Sequence, residues 1–369
     1  MSGTSLDGID VAACRFEDKT VDLLEFYSTE WPPDTRRAIL NVATATTVPM
    51  DDLVRLHFEL ANEYALAVNA ALEHSKISRE EIRAIGLHGQ TVRHLPYGRI
   101  PATMQLGSGP ALAAIAGIDV VSDFRSADIA LGGQGAPLVP MFDYRYLTSD
   151  SSDRLIVNIG GIANVTWLPQ HAASDEVIAF DTGPGNMLMD AIAQKYFEMP
   201  FDRNGEIARS GTIDEPLLSE LLSNDYFRLP PPKSTGRELF SDRFLAPLER
   251  KIASGAIDPR DALRTLAELS ARTIASAFSW ITRRAIDLEI IVSGGGANND
   301  FLMECLRKNL PQARVASSDA YGIPSKAKEA IAFAFFAQAF IQNIPIHLPH
   351  TTGARSQIAL GVWSKGKIF

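Results

Sequence analysis

The chain has 369 residues, of which 46% are hydrophobic and 21% are charged. This length predicts about two domains, and the composition excludes a largely disordered chain. Acidic residues outnumber basic residues by 44 to 35, which gives a formal net charge of -9. That balance argues against a nucleic-acid partner and against a polybasic membrane-binding surface.

The two cysteines, Cys14 and Cys305, lie far apart and form neither a CxxC pair nor a zinc-type cluster. The sequence does not open with a basic and apolar signal segment. Its most apolar stretch, 330–341, is shorter than the roughly 20 residues that a membrane helix needs. Together these features predict a reducing, cytoplasmic location and no membrane partner.

Strand-like and helical patterns alternate along the first part of the chain, which is typical of an α/β protein. The predicted elements are strands at 9–16 and 21–27, a helix at 51–73, a strand at 83–87, a helix at 110–116, a strand at 119–122 and a loop at 132–137.

A polar stretch at 148–153 ends this part, and a second series of elements follows. The predicted elements are strands at 154–159 and 165–168, helices at 186–197 and 262–285, a strand at 289–292 and helices at 301–309 and 325–343. Each half begins with a glycine turn beside a strand. A duplication explains this similarity, and so does chance resemblance between glycine turns.

Three glycine-rich turns lie beside predicted strands, at 3–8, 160–161 and 294–296. Glycine permits close backbone approach, and free N–H groups at such turns attract anions. The chain contains no GxxxxGK[ST] motif and no GxGxxG motif followed by a suitably spaced acidic residue. The three turns therefore favour a phosphate-bearing ligand over ordinary structural turns, without a P-loop or a dinucleotide-binding fold.

Two acidic residues are candidates for chemistry. Asp181 follows the apolar segment 177–180, where α/β folds hold active sites, and is a candidate general base. Hydrogen bonding within its own turn explains Asp181 equally well. Glu329 begins an apolar helix, and the helix dipole alone would account for an acidic residue there.

Polar residues also follow the predicted strands at 83–87 and 119–122. Arg125 follows the second strand and suits an anionic small molecule. The residues after the first strand are His88, Gly89, Gln90 and Thr91. A single histidine of this kind is more often an ordinary loop residue than a ligand. No carboxylate stands at metal-ligand spacing, so we expect no zinc site.

Taken together, these segments resemble the anhydro-N-acetylmuramic acid kinases, a family of the actin/hexokinase/Hsp70-like ATPase superfamily. The resemblance runs nearly end to end, and three of its motifs occurring together are highly specific. The segments that carry it are MSGTSLDGID (1–10), GLHGQTVRH (86–94), DFRSADIALGGQGAPLVP (123–140), VNIGGIANV (157–165), FDTGPGNMLMDA (180–191), KSTGRELF (233–240), VSGGGANN (292–299), YGIP (321–324), EAIAFA (329–334) and TTGA (351–354).

The resemblance implies two related actin/ribonuclease-H-like α/β lobes with ATP in the cleft between them. We expect the first lobe over 1–150, with 345–369 returning to it, and the second over 151–344. In the implied reaction, water opens the 1,6-anhydro ring of anhydro-N-acetylmuramic acid and the released O6 takes the γ-phosphate of ATP. The products would be N-acetylmuramic acid 6-phosphate and ADP, in peptidoglycan recycling. A homodimer is also implied.

The resemblance also implies roles for individual residues, with Asp181 as the base that activates water. The implied phosphate-binding residues of the first lobe are Gly3, Thr4, Ser5, Leu6, Asp7, Gly8, Ile9 and Asp10. Within that loop, Asp7 would hold Mg²⁺ through water. The implied nucleotide-binding residues of the second lobe are Gly160, Gly161, Asn164, Gly294, Gly295 and Gly296. The implied sugar-pocket residues are His88, Gly89, Gln90, Thr91, Arg125 and Glu329. Of these, Arg125 is a candidate partner for the lactyl carboxylate.

The sequence departs from the family pattern at its start. Family members usually carry several apolar residues before the Met-Ser-Gly-Thr motif, and here Met1 is the first residue of that motif. The resemblance thus predicts either a start upstream of Met1 or a first lobe that lacks its central strand and binds phosphate weakly. A catalytically impaired sugar or nucleotide sensor on the same scaffold is the alternative function. A nucleotide-gated chaperone or regulator is disfavoured, because the chain has no room for the extra domain that it would need.

Overall fold

The computed structural model describes residues 1–3, 6, 8–236, 239–240, 242–281, 287–346, 348 and 350–366. Thr4, Ser5 and Asp7 of the predicted phosphate-binding loop lie outside the described residues, as do residues 282–285 of a predicted helix. The chain divides into unit 1, Met1–Tyr146 with Ala327–Phe369, and unit 2, Leu147–Lys326. Both units contain strands and helices, which confirms the predicted α/β fold class.

Unit 1 contains most of the first half of the chain and the C-terminal segment. Its strands are β1 (Ile9–Glu17), β2 (Thr20–Thr29), β3 (Ile85–Leu87), β4 (Gln90–Leu95), β5 (Ala102–Leu106), β6 (Val120–Ser122) and β12 (Val362–Ser364). Its helices are α1 (Pro33–Thr44), α2 (Met50–Ser75), α3 (Gly109–Ala116), α4 (Ser126–Ala130), α5 (Pro140–Leu147, which ends at the boundary) and α12 (Lys328–Ile341).

Helix α2 illustrates how the sequence builds the core of unit 1. Its buried residues Leu56, Leu60 and Tyr64 recur every fourth position, so one stripe of the helix packs inward. The helix ends at Lys76, whose left-handed conformation (φ 59°) turns the chain away from the helix axis. The observed helix extends the predicted one at 51–73 by one residue at the start and two at the end.

The strands of unit 1 pair in three separate groups. Strand β6 lies between β3, which is parallel to it, and β12, which is antiparallel to it. Strands β1 and β2 form an antiparallel pair, and so do β4 and β5. The β4–β5 hairpin was not predicted, because only Gln90 and Val92 of β4 are buried and a register shift between Thr91 and Arg93 breaks the alternation.

Unit 2 contains the central part of the chain. Its strands are β7 (Arg154–Ile159), β8 (Ile162–Leu168), β9 (Ile178–Pro184), β10 (Glu289–Ser293) and β11 (Arg314–Ser317). Its helices are α6 (Met187–Phe197), α7 (Glu206–Ser210), α8 (Glu215–Leu222), α9 (Asp242–Ala253), α10 (Pro259–Ala275) and α11 (Asp300–Asn309).

A mixed sheet in the order β11-β10-β7-β8-β9 forms the centre of unit 2. Strand β10 is parallel to both β7 and β11, whereas β7, β8 and β9 are successively antiparallel. Helix α10 packs within this unit, and Leu263, Leu266 and Ile274 are fully buried. The buried strands and this helix fix the position of the turns at the ends of β7 and β10.

Two helices of the structure differ in their bounds from the predicted ones: one ends earlier and the other begins later. The helix predicted at 262–285 is α10, which ends at Ala275 and tightens into a 3₁₀ turn over Ser276–Trp280. Such tightening is common at the C-terminal end of an α-helix, where carbonyl groups lose their partners. The helix predicted from residue 325 begins at Lys328, because the segment after Pro324 forms a turn first.

Helix α12 is largely buried, and an ion pair fixes its first turn. The Lys328 Nζ lies 2.7 Å from the Asp143 Oδ1 on helix α5, and the two side chains are only 3% and 4% exposed. Burial of a charge is unfavourable unless an opposite charge compensates it. The pair therefore holds the start of α12, and with it the adjacent Glu329, against α5. No helix within the described residues combines the length and apolarity that a membrane crossing requires.

We expect Lys328→Met to lower the free energy of unfolding by about 3 to 5 kcal/mol, because it leaves the Asp143 carboxylate buried without its cation. Lys326→Met, at an exposed position two residues earlier, is the matched control and should cost less than about 0.5 kcal/mol. Urea-induced unfolding measures both values. Equal effects of the two substitutions would contradict the assigned role of the ion pair.

Candidate active site

Asp181 lies within a strand and does not follow one. The sequence placed it just after an apolar segment at 177–180, but β9 continues through Pro184, because Ile162 of β8 pairs with Pro184. A register shift between Ala163 and Asn164 of β8 accommodates this pairing. As a result Asp181 lies directly opposite Asn164 on the neighbouring strand. The structure therefore brings these two predicted site residues together.

The segment 226–235 holds Asp181 by three hydrogen bonds. The Thr235 backbone N–H donates to the Asp181 Oδ2 at 2.9 Å. The Asp181 backbone N–H donates to the Lys233 carbonyl at 3.1 Å, and the Tyr226 hydroxyl donates to the Asp181 carbonyl at 2.8 Å. These bonds fix both the backbone and the carboxylate, which is the arrangement a general base requires for a constant orientation.

Lys233 brings a positive charge close to this carboxylate. Its Nζ donates to the Tyr226 carbonyl at 3.2 Å and lies 4.7 Å from the centre of the Tyr226 ring. Burial lowers the pKa of Lys233, and the charge of Asp181 opposes that shift. Sequence reasoning assigned no role to Lys233, Thr235 or Tyr226. The KSTGRELF motif at 233–240 was the signal that could have drawn attention to two of them.

The turn between β7 and β8 contacts the start of helix α6. The Gly160 carbonyl accepts from the Asn186 N–H, and the Gly161 carbonyl accepts from the Gly185 N–H, each at 2.8 Å. A side chain at Gly185 would collide with the Gly160 carbonyl oxygen. The Gly-Gly and Gly-Pro-Gly segments are therefore packed backbone to backbone, which requires glycine at position 185.

The third predicted glycine turn lies beside the same end of β7. Gly294 has a φ of 80°, and a side chain there would approach the Asn158 side chain and the Ile159 carbonyl. A side chain at Gly296 would collide with the side chain of Ile159. Gly294 directly follows strand β10, and Gly295 begins a 3₁₀ turn. The structure thus gathers the predicted glycines of unit 2 around one strand end.

In unit 1, the predicted phosphate-binding loop is described at residues 3, 6 and 8–10. Side chains from other segments of unit 1 hold the backbone of this loop. The Gln90 Nε2 donates to the Gly3 carbonyl at 3.2 Å, and the Arg36 Nε donates to the Leu6 carbonyl at 3.0 Å. Gly8 packs against the Thr29 carbonyl so closely that any side chain would collide with it. Gln90, which the resemblance placed in the sugar pocket, contacts this loop.

The predicted phosphate-binding loop includes the described carboxylate of Asp10. Within the described residues, no group of three or more His, Cys, Asp or Glu side chains could hold a metal ion. Magnesium is usually held by one or two carboxylates, with water and phosphate completing its shell, so it needs no such group. The Asp10 carboxylate, which accepts from the Ser28 hydroxyl at 2.7 Å, offers an oxygen of the suitable kind. The chemistry of the loop is therefore compatible with Mg²⁺.

Arg125 and His88, two predicted sugar-pocket residues, form a pair in which His88 is buried and Arg125 is half-buried. The Arg125 Nη2 lies 2.8 Å from the His88 Nε2, and the Arg125 Nη1 donates to the Gly135 carbonyl at 2.7 Å. Burial lowers the pKa of Arg125 to about 10, against the opposing charges of Glu329 and Asp128. Burial and the Arg125 charge lower the pKa of His88 well below its ordinary value of 6.5. His88 is therefore neutral and accepts from the guanidinium.

The remaining predicted pocket residues surround this pair less directly. Gly89 has a φ of 76°, and a side chain there would approach the Leu106 carbonyl. The Thr91 hydroxyl accepts from the Gln105 Nε2 at 3.3 Å. Glu329 lies in the first turn of α12, as predicted, and its charge acts on Arg125. Within unit 1 the structure therefore associates His88, Arg125 and Glu329.

Sequence reasoning missed Asp128, which shapes the loop beside Arg125. Its carboxylate is fully buried and accepts from the Gly135 N–H at 2.7 Å and from the Thr352 hydroxyl at 2.6 Å. A side chain at Gly133 would collide with this carboxylate. Asp128 therefore fixes the carbonyl of Gly135 that Arg125 contacts. The GGQGAP and TTGA motifs could be recognised in the sequence. Because they lie far apart along the chain, the sequence did not show that Asp128 bonds to residues of both.

This chain is similar in sequence to proteins of a described family. The sequence profile of a family described as "Anhydro-N-acetylmuramic acid kinase" matches residues 1–365. A protein of that name from Vibrio cholerae is 42% identical over 362 residues, which cover 98% of this chain and 96% of the Vibrio protein. Another from Salinibacter ruber is 41% identical over 373 residues, covering 98% and 94%. Among solved structures, the activator of 2-hydroxyisocaproyl-CoA dehydratase from Clostridium difficile with bound ADPNP aligns with a TM-score of 0.45, at 11% identity over 89% of this chain and 94% of the activator.

The lowered pKa of His88 predicts a pH-dependent stability. Below its ordinary value of 6.5, the imidazole is protonated in the unfolded chain but remains neutral in the folded protein. The unfolded state then binds more protons, so the free energy of unfolding falls as the pH decreases, by up to about 1.4 kcal/mol per pH unit. We expect His88→Gln to reduce this slope between about pH 6.5 and about pH 5 in urea unfolding experiments.

His57 and His94 have lowered pKa values for the same reason, burial, and will retain part of the slope in this variant. Substitution of the exposed His350 by Gln controls for the loss of one histidine. An unchanged slope in His88→Gln, relative to His350→Gln, would show that His88 is not held neutral in the folded protein.

Proposed function

The chain belongs to the anhydro-N-acetylmuramic acid kinase family, as the resemblance predicted, and we propose that it catalyses the reaction in that name. It uses ATP to open the 1,6-anhydro ring of anhydro-N-acetylmuramic acid hydrolytically and to phosphorylate O6. The products are N-acetylmuramic acid 6-phosphate and ADP. This activity belongs to the recycling of peptidoglycan.

The placement of Asp181 carries this proposal. A carboxylate that activates water must be held in one orientation and must remain ionised. The hydrogen bond from the Thr235 N–H to Oδ2 supplies the orientation. The nearby Lys233 ammonium supplies an opposite charge to this carboxylate. Asp181 is therefore suited to accept the proton of an attacking water.

The proposed reaction couples hydrolytic ring opening to phosphoryl transfer. The oxygen of water bonds to the anomeric carbon while its proton passes to the Asp181 carboxylate. The bond between the anomeric carbon and O6 breaks, and O6 keeps the electron pair. O6 then bonds to the γ-phosphorus of ATP, and the bond from that phosphorus to the β–γ bridging oxygen breaks and releases ADP.

We assign the phosphate contacts to the glycine turns and loop residues described above. In unit 2, Gly160, Gly161 and Asn164 lie at one strand end with Gly294 to Gly296, and glycine turns let backbone N–H groups approach a phosphate closely. In unit 1, the loop Gly3 to Asp10 takes the same role, with its described carbonyls anchored by Gln90 and Arg36. Asp7 would hold Mg²⁺ through water, and the ion would neutralise charge on the phosphoryl group.

We assign the sugar contacts to the segment 88–91, Arg125 and Glu329. Arg125 uses Nε and Nη2 toward His88 and Nη1 toward Gly135, which leaves other N–H donors of its planar guanidinium for a carboxylate such as the lactyl group. Because His88 is neutral, it orients the guanidinium without adding a second charge. A cytoplasmic location and a homodimer complete the proposal. The location is predicted from the cysteines and the apolar segments of the sequence, and the homodimer from the family resemblance.

The direct test is ³¹P NMR of the full chain with anhydro-N-acetylmuramic acid, ATP and Mg²⁺. We expect a sugar monophosphate resonance to grow together with ADP, and neither to grow without the sugar. Calorimetry under the same conditions separates the alternative: sugar binding without ADP formation would identify a sensor and refute the kinase.

We expect Asp181→Asn to lower the turnover rate at least ~100-fold, because the amide cannot accept the proton of the attacking water. The substitution keeps the shape of the side chain, so the affinity for ATP, measured by calorimetry, should change less than about threefold. Asp175→Asn, at an exposed position in the same unit, controls for the loss of one negative charge. Turnover of Asp181→Asn close to that of Asp175→Asn would exclude Asp181 as the base.

A further inference from the structure

The C-terminal segment 350–355 belongs to unit 1 and packs against the loop that follows helix α4. The Gln134 N–H of this loop donates to the Thr352 carbonyl at 2.9 Å, and the Arg355 N–H donates to the Leu131 carbonyl at 3.0 Å. These two backbone bonds hold the segment in place and do not depend on its side chains. The proposed reaction gives this segment no role.

The Thr352 side chain connects the C-terminal segment to the buried carboxylate of Asp128. Its hydroxyl donates to the Asp128 Oδ1 at 2.6 Å, and Thr352 and Asp128 are only 2% and 1% exposed. The Gly135 N–H donates to the other oxygen, Oδ2, at 2.7 Å. Because the two donors bind different oxygens, they fix the plane of the carboxylate. Without the hydroxyl, only the bond from Gly135 would remain among the described residues.

Gly135 lies between this carboxylate and Arg125. Its N–H is bound by Asp128, and its carbonyl accepts from the Arg125 Nη1 at 2.7 Å. Its φ of 70° is left-handed, a conformation that glycine adopts without strain. The Arg125 Nη2 lies 2.8 Å from the His88 Nε2. Since Gly135 and His88 contact different nitrogens of one planar group, they together set the plane in which its remaining N–H donors lie.

The orientation of this guanidinium matters for the ligand that the proposed function assigns to it. A guanidinium and a carboxylate bind through two parallel hydrogen bonds, which require the two planar groups to be aligned. A tilt of the Arg125 guanidinium would therefore weaken the binding of a sugar carboxylate. The contacts with ATP, which the proposed function assigns to other residues, would not change.

We propose that Thr352 is a positioning residue: through Asp128 and Gly135 it holds the Arg125 guanidinium in the orientation that binds the carboxylate of an acidic sugar. The C-terminal segment thereby determines the affinity for the sugar, whereas it has no part in phosphoryl transfer. This inference rests on the proposed function, from which it takes the role of Arg125.

The test compares two neighbouring threonines in the full chain. Thr352→Val removes the hydroxyl that binds Asp128 and keeps the shape of the side chain. Thr351→Val is the matched control, because Thr351 is also buried but its hydroxyl donates to the Leu348 carbonyl, at 3.0 Å. We expect Thr352→Val to raise the KM and the calorimetric Kd for anhydro-N-acetylmuramic acid at least ~5-fold, with kcat and the KM for ATP within ~2-fold of wild type.

The control and the conservative variant have opposite expectations to Thr352→Val. Thr351→Val should keep all four values within ~2-fold of wild type, and so should Thr352→Ser, which retains the hydroxyl. Lysine in place of Arg125 has no planar group to orient. In an Arg125→Lys background, adding Thr352→Val should therefore change the Kd for the sugar less than ~2-fold.

Gly133→Ala tests the same contact from the loop, because its methyl group would collide with the Asp128 Oδ2. It should also raise the Kd for the sugar, and it decides the question if Thr352→Val does not fold. Equal Kd values for the sugar in Thr352→Val and Thr351→Val would overturn the proposal, as would a fall in kcat with an unchanged Kd.

The wild-type chain separates this inference from the proposed function. If the wild type binds the sugar but forms no sugar phosphate, the proposed function fails, and the Kd comparison alone decides the role of Thr352. If the wild type does not bind the sugar, both fail. If it forms the sugar phosphate and the two valine variants have the same Kd, only this inference fails.

Discussion

The unfavourable removal of charge from water is the constraint on which the predicted site residues of unit 1 depend. A buried guanidinium, ammonium or carboxylate is tolerated only when polar groups surround it. Arg125 is therefore bound to a neutral imidazole and a carbonyl, and Asp128 to an amide and a hydroxyl. Lys328 is paired with Asp143. The arrangements of Arg125 and Asp128 require particular loop conformations, so these residues and the surrounding loops specify one another.

In unit 2, the sequence best predicted those elements whose pattern lies within a few consecutive residues. An apolar run followed by glycines marks a buried strand and its turn, and this predicted β7, β10 and the turns beside them. The same reasoning singled out Asp181 but ended its strand too early, because the pairing of Ile162 with Pro184 depends on a neighbouring strand. The groups that hold Asp181 lie 45 to 54 residues further along the chain, where no local pattern reports them.

In unit 1 as well, contacts between residues far apart in the chain could not be predicted from the sequence. The helices α2 and α12 were predictable from apolar spacing, and the family motifs pointed to His88 and Arg125. The bond between Thr352 and Asp128 spans 224 residues and follows only from the return of the chain to unit 1. The β4–β5 hairpin was missed because a bulge obscures its alternation. The sequence predicted individual candidate residues, whereas the residues that bond to buried charges could be identified only from the fold.

The backbone and the carboxylate of Asp181 are held by different segments of unit 2. Its main chain belongs to a paired strand, but its Oδ2 is bound by Thr235, in a segment that has neither helix nor strand. Irregular segments open at lower free energy than sheets. Heating would then release the carboxylate while the sheet remains intact. With Asp181 as the proposed base, turnover would then fail at a lower temperature than the one at which the fold melts.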